Sequence, residues 1–266
     1  MAWHHPDVLL RWLRERSREK LLETPFPDPW RKVLAECVGP WARWDDAQRK
    51  RLEDLVQVFI AEKQFEGLGG LELDDEIRVT IAGQACLLIW GMDDHELYRR
   101  VETILVYPSA VASRRSGGFL FPRRSDEELT PILGEAHLRG PVILAWDATL
   151  RGAKDPRDGV NLVFHEFAHK LDMLDGHADG TPPLESRAET RRWAEVCERE
   201  FLRLRADVEA GRRTLLDPYG AVNEAEFFAV ATELFFERPD AMQHEAPELF
   251  TVLRDFYRQT PAVAPL

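Results

Sequence analysis

The sequence predicts an α+β protein, mostly helical with a small mixed β-sheet. Three observations carry that expectation. The first ninety and the last eighty residues repeat apolar side chains at helical spacing among many Arg and Glu. After Gly91 the pattern changes to short runs rich in Val, Ile and aromatic residues, which fit strands. Between the two regimes lies 161–176, an apolar stretch with no Pro or Gly from Asn161 to Asp175 that carries two histidines and a glutamate.

The elements follow in order. Residues 7–22 place Val8, Leu9, Leu10, Trp12, Leu13, Leu21 and Leu22 on one side of an amphipathic helix. Pro25, Pro27 and Pro29 make 23–30 an extended connector. A short helix is expected over 30–37. Asp45-Asp46 starts another that runs to Lys63 with Leu52, Leu55, Val56, Val58, Phe59 and Ile60 inward. Phe65 to Gly70 reads as a turn-rich break, and Asp74 or Asp75 caps a helix through Leu88. Strands are expected at 101–107, 118–121 and 142–146, and a loop over 151–159 leads into the helix at 161. Gly176, Gly180, Pro182 and Pro183 make a second loop. A long charged helix follows over 185–210, stopped by Gly211. Asp217-Pro218-Tyr219-Gly220 is a turn, 223–236 is a helix, and a last helix spans 246–258.

Composition excludes several functions. The net charge of −12 and pI of about 5.2 argue against nucleic acid or an anionic membrane as the main partner. No apolar run reaches transmembrane length, and the N-terminus lacks the apolar core of a secretory signal. Cys37, Cys86 and Cys197 are scattered and odd in number, as in a reducing compartment. A cytoplasmic location is expected.

The chemistry concentrates at His165-Glu166-Phe167-Ala168-His169. On a helix, residues four apart share a face, so both imidazoles can converge on one point. Two imidazoles with an adjacent carboxylate supply two zinc ligands and a general base, Glu166, for an attacking water. A catalytic zinc takes a third protein ligand. His177 and His244 lie in loop contexts. Asp175, ten residues after His165, is one option, but Asp172 stands where a chain-turning Gly would be needed. The stretch 223–237 offers Glu226 and Glu233, seven apart on one face among aromatic and small apolar residues. Either could ligate while the other orients a histidine through its free ring nitrogen. Asp172, one turn beyond His169, is another candidate to accept that ring N–H. Tyr219 precedes Glu226 by seven residues. A phenol near zinc can stabilise an oxyanion, although a loop Tyr can equally serve packing.

These residues resemble the Mlc titration factor A family of bacterial zinc metallopeptidases. The likeness rests on His-Glu-Phe-Ala-His-Lys-Leu-Asp-Met-Leu-Asp-Gly, on Asp-Pro-Tyr-Gly-Ala followed by Ala-Glu-Phe-Phe-Ala-Val, and on Phe-Tyr-Arg-Gln near the C-terminus. Ala61-Glu62-Lys63 with Phe65-Glu66-Gly67, the run from Asp75 to Ala82, and Val106-Tyr107-Pro108 agree, so it spans nearly the whole chain. The central helix is also similar to that of the anthrax lethal factor peptidase domain. The resemblance implies a zincin-like fold of the Glu-ligand type across 1–266 as one unit, with a helical part at 1–95 and a catalytic core at 96–266. It implies Zn²⁺ held by His165, His169 and Glu226, with Tyr219 catalytic. Glu233 and Asp172 are then left to orient the ligands. It further implies aminopeptidase-like action on peptides and, more remotely, binding of a Mlc-like transcriptional repressor.

Overall fold

A computed structural model describes residues 6–92, 97–109 and 140–261. The expected strand at 118–121 lies outside these residues. Helices α1 (Pro6–Leu22), α2 (Asp28–Cys37) and α3 (Asp46–Glu62) precede strand β1 (Gln64–Gly67). Helix α4 (Asp75–Ile89) and strand β2 (Thr103–Tyr107) follow, then β3 (Val142–Ala145) and α5 (Trp146–Lys154). The remaining helices are α6 (Leu162–Asp172), α7 (Arg187–Glu209), α8 (Glu224–Glu237), α9 (Pro239–Glu245) and α10 (Pro247–Tyr257).

Helix α4 is the centre of the core. It is buried on every side from Val79 to Ile89, and α2, α3, α5 and α6 pack around it. Such a helix cannot leave its ends to water, so side chains from distant segments meet its terminal groups. Asp74 accepts from the Ile77 N–H at 2.9 Å. At the other end Arg51 donates to the Trp90 and Met92 carbonyls, both at 2.7 Å. Gln259 donates to those of Leu87 and Leu88 at 2.8 and 3.2 Å. The Phe-Tyr-Arg-Gln motif is therefore structural in part: Gln259 caps α4, and the Tyr257 hydroxyl pairs with Thr232 of α8 at 2.7 Å inside the core.

The sheet has the order β1-β2-β3 and is parallel throughout the described strands. Ile104 sits opposite Phe65 on one side and Val142 on the other. Three elements differ from expectation. The break expected from Phe65 begins as strand β1. Its four residues alternate between exposed and half-buried, a signal too short to read without its partner β2. Helix α5 takes in 151–154 of the expected 151–159 loop. Its N-cap, Ala145, makes no side-chain hydrogen bond and Gly152 lies inside it, so neither a start signal nor a smooth propensity marks it. The last helix lies where it is expected, as α10, but an unexpected short helix, α9, precedes it and opens on Pro239, a residue suited to a helix's first turn.

The loop after α6 is fixed at one glycine. Gly180 has φ 75°, and a Cβ there would stand 2.3 Å from the Glu224 carbonyl oxygen at the start of α8. Its N–H donates to Asp172 Oδ2 at 2.9 Å and its carbonyl accepts from the buried Trp193 indole at 2.9 Å. Gly180→Ala meets both the left-handed backbone and the α8 backbone. We expect it to cost roughly 1–3 kcal/mol or more in denaturant unfolding. Wild-type stability would show that this loop is free to move off α8.

Candidate metal centre

Two helices build the site. Asn161 caps α6, its Oδ1 accepting from the N–H groups of Val163 and Phe164, both at 3.1 Å. From that start, His165 and His169 fall on the face toward α8. Phe167 falls on the opposite face, its ring centre 4.9 Å from Tyr98 and 5.7 Å from Phe59. The helix runs out through a 3₁₀ turn at Met173–Asp175 and stops at Gly176, φ 106°. Arg100 donates to the carbonyls of Met173 and Leu174 at 3.4 and 2.9 Å, holding that end. Helix α8 is buried from Phe227 to Phe235. Asn223 caps it by accepting from the Glu226 N–H at 2.9 Å, which sets Glu226 in its first turn.

The two helices bring His165, His169 and Glu226 together, with one donor atom from each lying within 4.8 Å of the others. His165 Nε2 is 3.0 Å from Glu226 Oε2 and 3.3 Å from His169 Nε2, and His169 Nε2 is 3.5 Å from Glu226 Oε2. On its other side His165 Nδ1 meets Glu233 Oε1 at 2.8 Å. There the carboxylate accepts a hydrogen bond from Nδ1, which points Nε2 into the cluster. Burial works against a charged His165, but hydrogen bonds to Glu226 and Glu233 outweigh it and raise its pKa well above the ordinary value. Burial likewise opposes ionisation of Glu226, and the two histidines overcome it, holding the carboxylate well below the usual range. The surroundings thus favour positive charge where three donors meet. Two imidazoles and a carboxylate are a donor set suited to a divalent ion such as zinc.

Other groups surround the cluster. Glu166 is half-buried, and burial raises its carboxyl pKa against the opposing pull of His165 and His169, which makes it a stronger base than a surface glutamate. The Tyr219 ring centre lies 6.0 Å from that of His165. Burial raises its phenol pKa, and so does the nearby charge of Glu226. It therefore keeps its proton at neutral pH and can donate.

The remaining candidates divide. Of the two carboxylates left open by spacing, Glu226 faces both ring Nε2 atoms, and Glu233 takes the far nitrogen of His165. Asp172 is buried, but its Oδ2 accepts from the Gly180 N–H, and its Oδ1 has no partner among the described residues. Burial pushes its pKa up to about 6. Its carboxylate ties down the loop after α6, and no hydrogen bond joins it to His165 or His169 among the described residues. Asp175 is exposed and accepts from the His177 N–H, away from the cluster, and His177 and His244 are exposed. Sequence reasoning passed over Asn161 and Glu237. A side chain that caps the start of a metal-binding helix was findable by the N-cap rule. Glu237 was findable as the i+4 neighbour of Glu233.

A helix presenting His-Glu-x-x-His to a glutamate on a second helix, beside a basic carboxylate and a phenol, is the arrangement of a metallopeptidase. The comparisons agree: the profile of the family described as glucose-regulated metallo-peptidase M90 matches residues 10–258, and the chain belongs to that family. It is 38% identical over 265 residues to the uncharacterized protein slr2042 of Synechocystis sp. strain PCC 6803, covering 98% of this chain and 93% of that one. It is 30% identical over 254 residues to Mlc titration factor A of Cronobacter sakazakii, with 88% and 87% of the two chains covered. The protein of the same name from Escherichia fergusonii is 28% identical over 263 residues, with 91% of each chain covered. No helix among the described residues is long and apolar enough to cross a membrane.

Proposed function

We propose that the protein is a zinc-dependent peptidase, aminopeptidase-like in its action on peptides, working in the cytoplasm. The observation that carries this reading is the convergence of His165, His169 and Glu226 with Glu166 and Tyr219 beside them. The two histidines and Glu226 hold the ion, and Glu233 keeps His165 in the tautomer that can ligate. Zinc, when bound, supplies Lewis acidity, polarising a peptide carbonyl and making water a better nucleophile at neutral pH. Glu166 takes a proton from the attacking water as its oxygen bonds to the carbonyl carbon. The Tyr219 hydroxyl donates to the oxygen on which negative charge develops. Glu166 then passes its proton to the amine nitrogen as the C–N bond breaks, so atoms and charge balance.

The test is digestion of a peptide library read by mass spectrometry, with zinc-loaded protein against chelated protein. Cleavage is expected only with zinc, as ladders shortened from the N-terminus. No cleavage by the zinc-loaded protein would sink the peptidase reading, and internal cuts alone would sink the aminopeptidase part.

A second reading rests on the relatives named Mlc titration factor A. In it the protein binds a Mlc-like transcriptional repressor, with or without proteolysis. The two roles can coexist. Repressor binding that survives loss of hydrolysis in Glu166→Gln separates them.

A further inference from the structure

Helix α8 carries, at its last residue, a buried acid that the chemistry above does not use. Glu237 lies one turn beyond Glu233 and is buried, 4% exposed. Both of its oxygens point at the segment that starts α6. Oε2 accepts from the Gly159 N–H at 2.9 Å and Oε1 from Asn161 Nδ2 at 3.1 Å. The Asn161 N–H in turn donates to Glu233 Oε2 at 2.5 Å, while Glu233 Oε1 holds His165 Nδ1. Asn161 is therefore fixed at three atoms. Oδ1 caps the helix, Nδ2 is held by Glu237, and the main-chain N–H is held by the carboxylate that orients His165. Its amide can face only one way, because the helix offers donors and Glu237 offers acceptors. The first intrahelical bond of α6, from the His165 N–H to the Asn161 carbonyl at 3.0 Å, ties the ligand directly to this anchor.

We propose that Glu237 is a positioning residue for the metal centre, acting through Asn161 and Glu233 on the orientation of His165. This rests on the metal-site reading above. Its surroundings are consistent with a permanent structural acid. Glu237 and Asn161 line a cavity of about 30 Å³ whose wall also carries Gln84, 1% exposed, with an Oε1 that has no partner among the described residues. The cavity has room for an ordered water, which needs roughly 10–15 Å³. Burial pushes the Glu237 carboxyl up to about 8, against the hydrogen bond from Asn161. A protonated Glu237 keeps both N–H donors on its acceptor lone pairs. No cation is then needed to neutralise it, and the anchor is a neutral one.

The test uses the full chain and two readouts other than turnover: Zn²⁺ affinity by competition with a chromophoric chelator, and the visible absorption of the Co²⁺-substituted protein. Glu237→Gln leaves an amide NH₂ facing one of the two N–H donors. It is expected to weaken Zn²⁺ binding about 10–100-fold and to change the Co²⁺ spectrum. In a Glu233→Gln background the same change is expected to add little, because the path runs through Glu233. Wild-type affinity and spectrum in folded Glu237→Gln, or full additivity with Glu233→Gln, would overturn the proposal. If Glu237→Gln fails to fold, Asn161→Ser approaches the same link from the other end, keeping a capping oxygen while deleting the donor to Glu237. The same weakening and spectral change support the proposal, and wild-type behaviour overturns it. Wild-type protein that binds no Zn²⁺ would instead sink the metal-site reading itself.

Discussion

Glu166→Gln is expected to keep the metal and lose roughly 10²–10⁴-fold in peptide hydrolysis, the range a positioned general base contributes. The reason is local. Glu166 feels the charges of the cluster but is not among the three donors that converge, so an amide there leaves the ligand set intact. What changes is proton affinity. Burial raises the Glu166 carboxyl pKa, so at neutral pH it is a better proton acceptor than an exposed glutamate. Glutamine has no such function and nearly the same shape. The measurement is paired: zinc content and turnover on one preparation, freed of contaminating peptidase. Full metal with full turnover would remove Glu166 from the mechanism. Loss of metal together with turnover would mean that Glu166 holds the ion and the donor set is wrong. The first outcome leaves a metal protein whose base is elsewhere, and the described residues around the cluster offer Glu233 as the next to change.

How much of this could be read from the chain depends on the range of the interactions. The His165 helix was legible because its information is local: an apolar run, a 3.6-residue period and a glycine stop all lie within sixteen residues, as does the N-cap Asn161 that was passed over. The pairing of α6 with α8 was legible only as a choice. Spacing put Glu226 and Glu233 on one face and could not say which would meet the inner nitrogens, because that depends on how far α8 slides along α6. The slide is set by contacts distant in sequence: Gly180 against Glu224, Asn161 against Glu233 and Glu237. Asp172 shows the same limit. Its spacing fits a histidine partner, but the loop after α6 folds back and offers the Gly180 N–H instead. Strand β1 and helix α5 were missed for another reason. Each is short, lacks a capping or alternation signal of its own, and gains its structure from neighbours already in place.

Glu226→Ala and Glu233→Ala form a pair whose order carries the decision between those two carboxylates. Glu226 Oε2 lies 3.0 and 3.5 Å from the two inner nitrogens, so its removal takes away a donor. We expect zinc affinity to fall by more than the roughly 10–100-fold typical of losing a group that only orients a ligand. Glu233→Ala removes such a group and is expected to fall within that range, with His165 free to turn or change tautomer. The same order should appear in thermal unfolding with zinc in excess. Each hundredfold loss of affinity removes about 2.7 kcal/mol of ligand-linked stability. At roughly 2–4 °C per kcal/mol for a chain of this size, that is a melting temperature lower by about 5–10 °C. Without zinc the ligand-linked difference vanishes, and what remains is each residue's part in the apo fold. Glu233 should then matter more, because it also accepts from the buried Asn161 N–H, whereas the Glu226 N–H keeps its bond to Asn223 whatever side chain stands there. The two variants should therefore change rank between the zinc-loaded and zinc-free protein. An unchanged rank with Glu233→Ala the more damaging in both would give the ligand position to Glu233 and require α8 to slide along α6 when the ion binds.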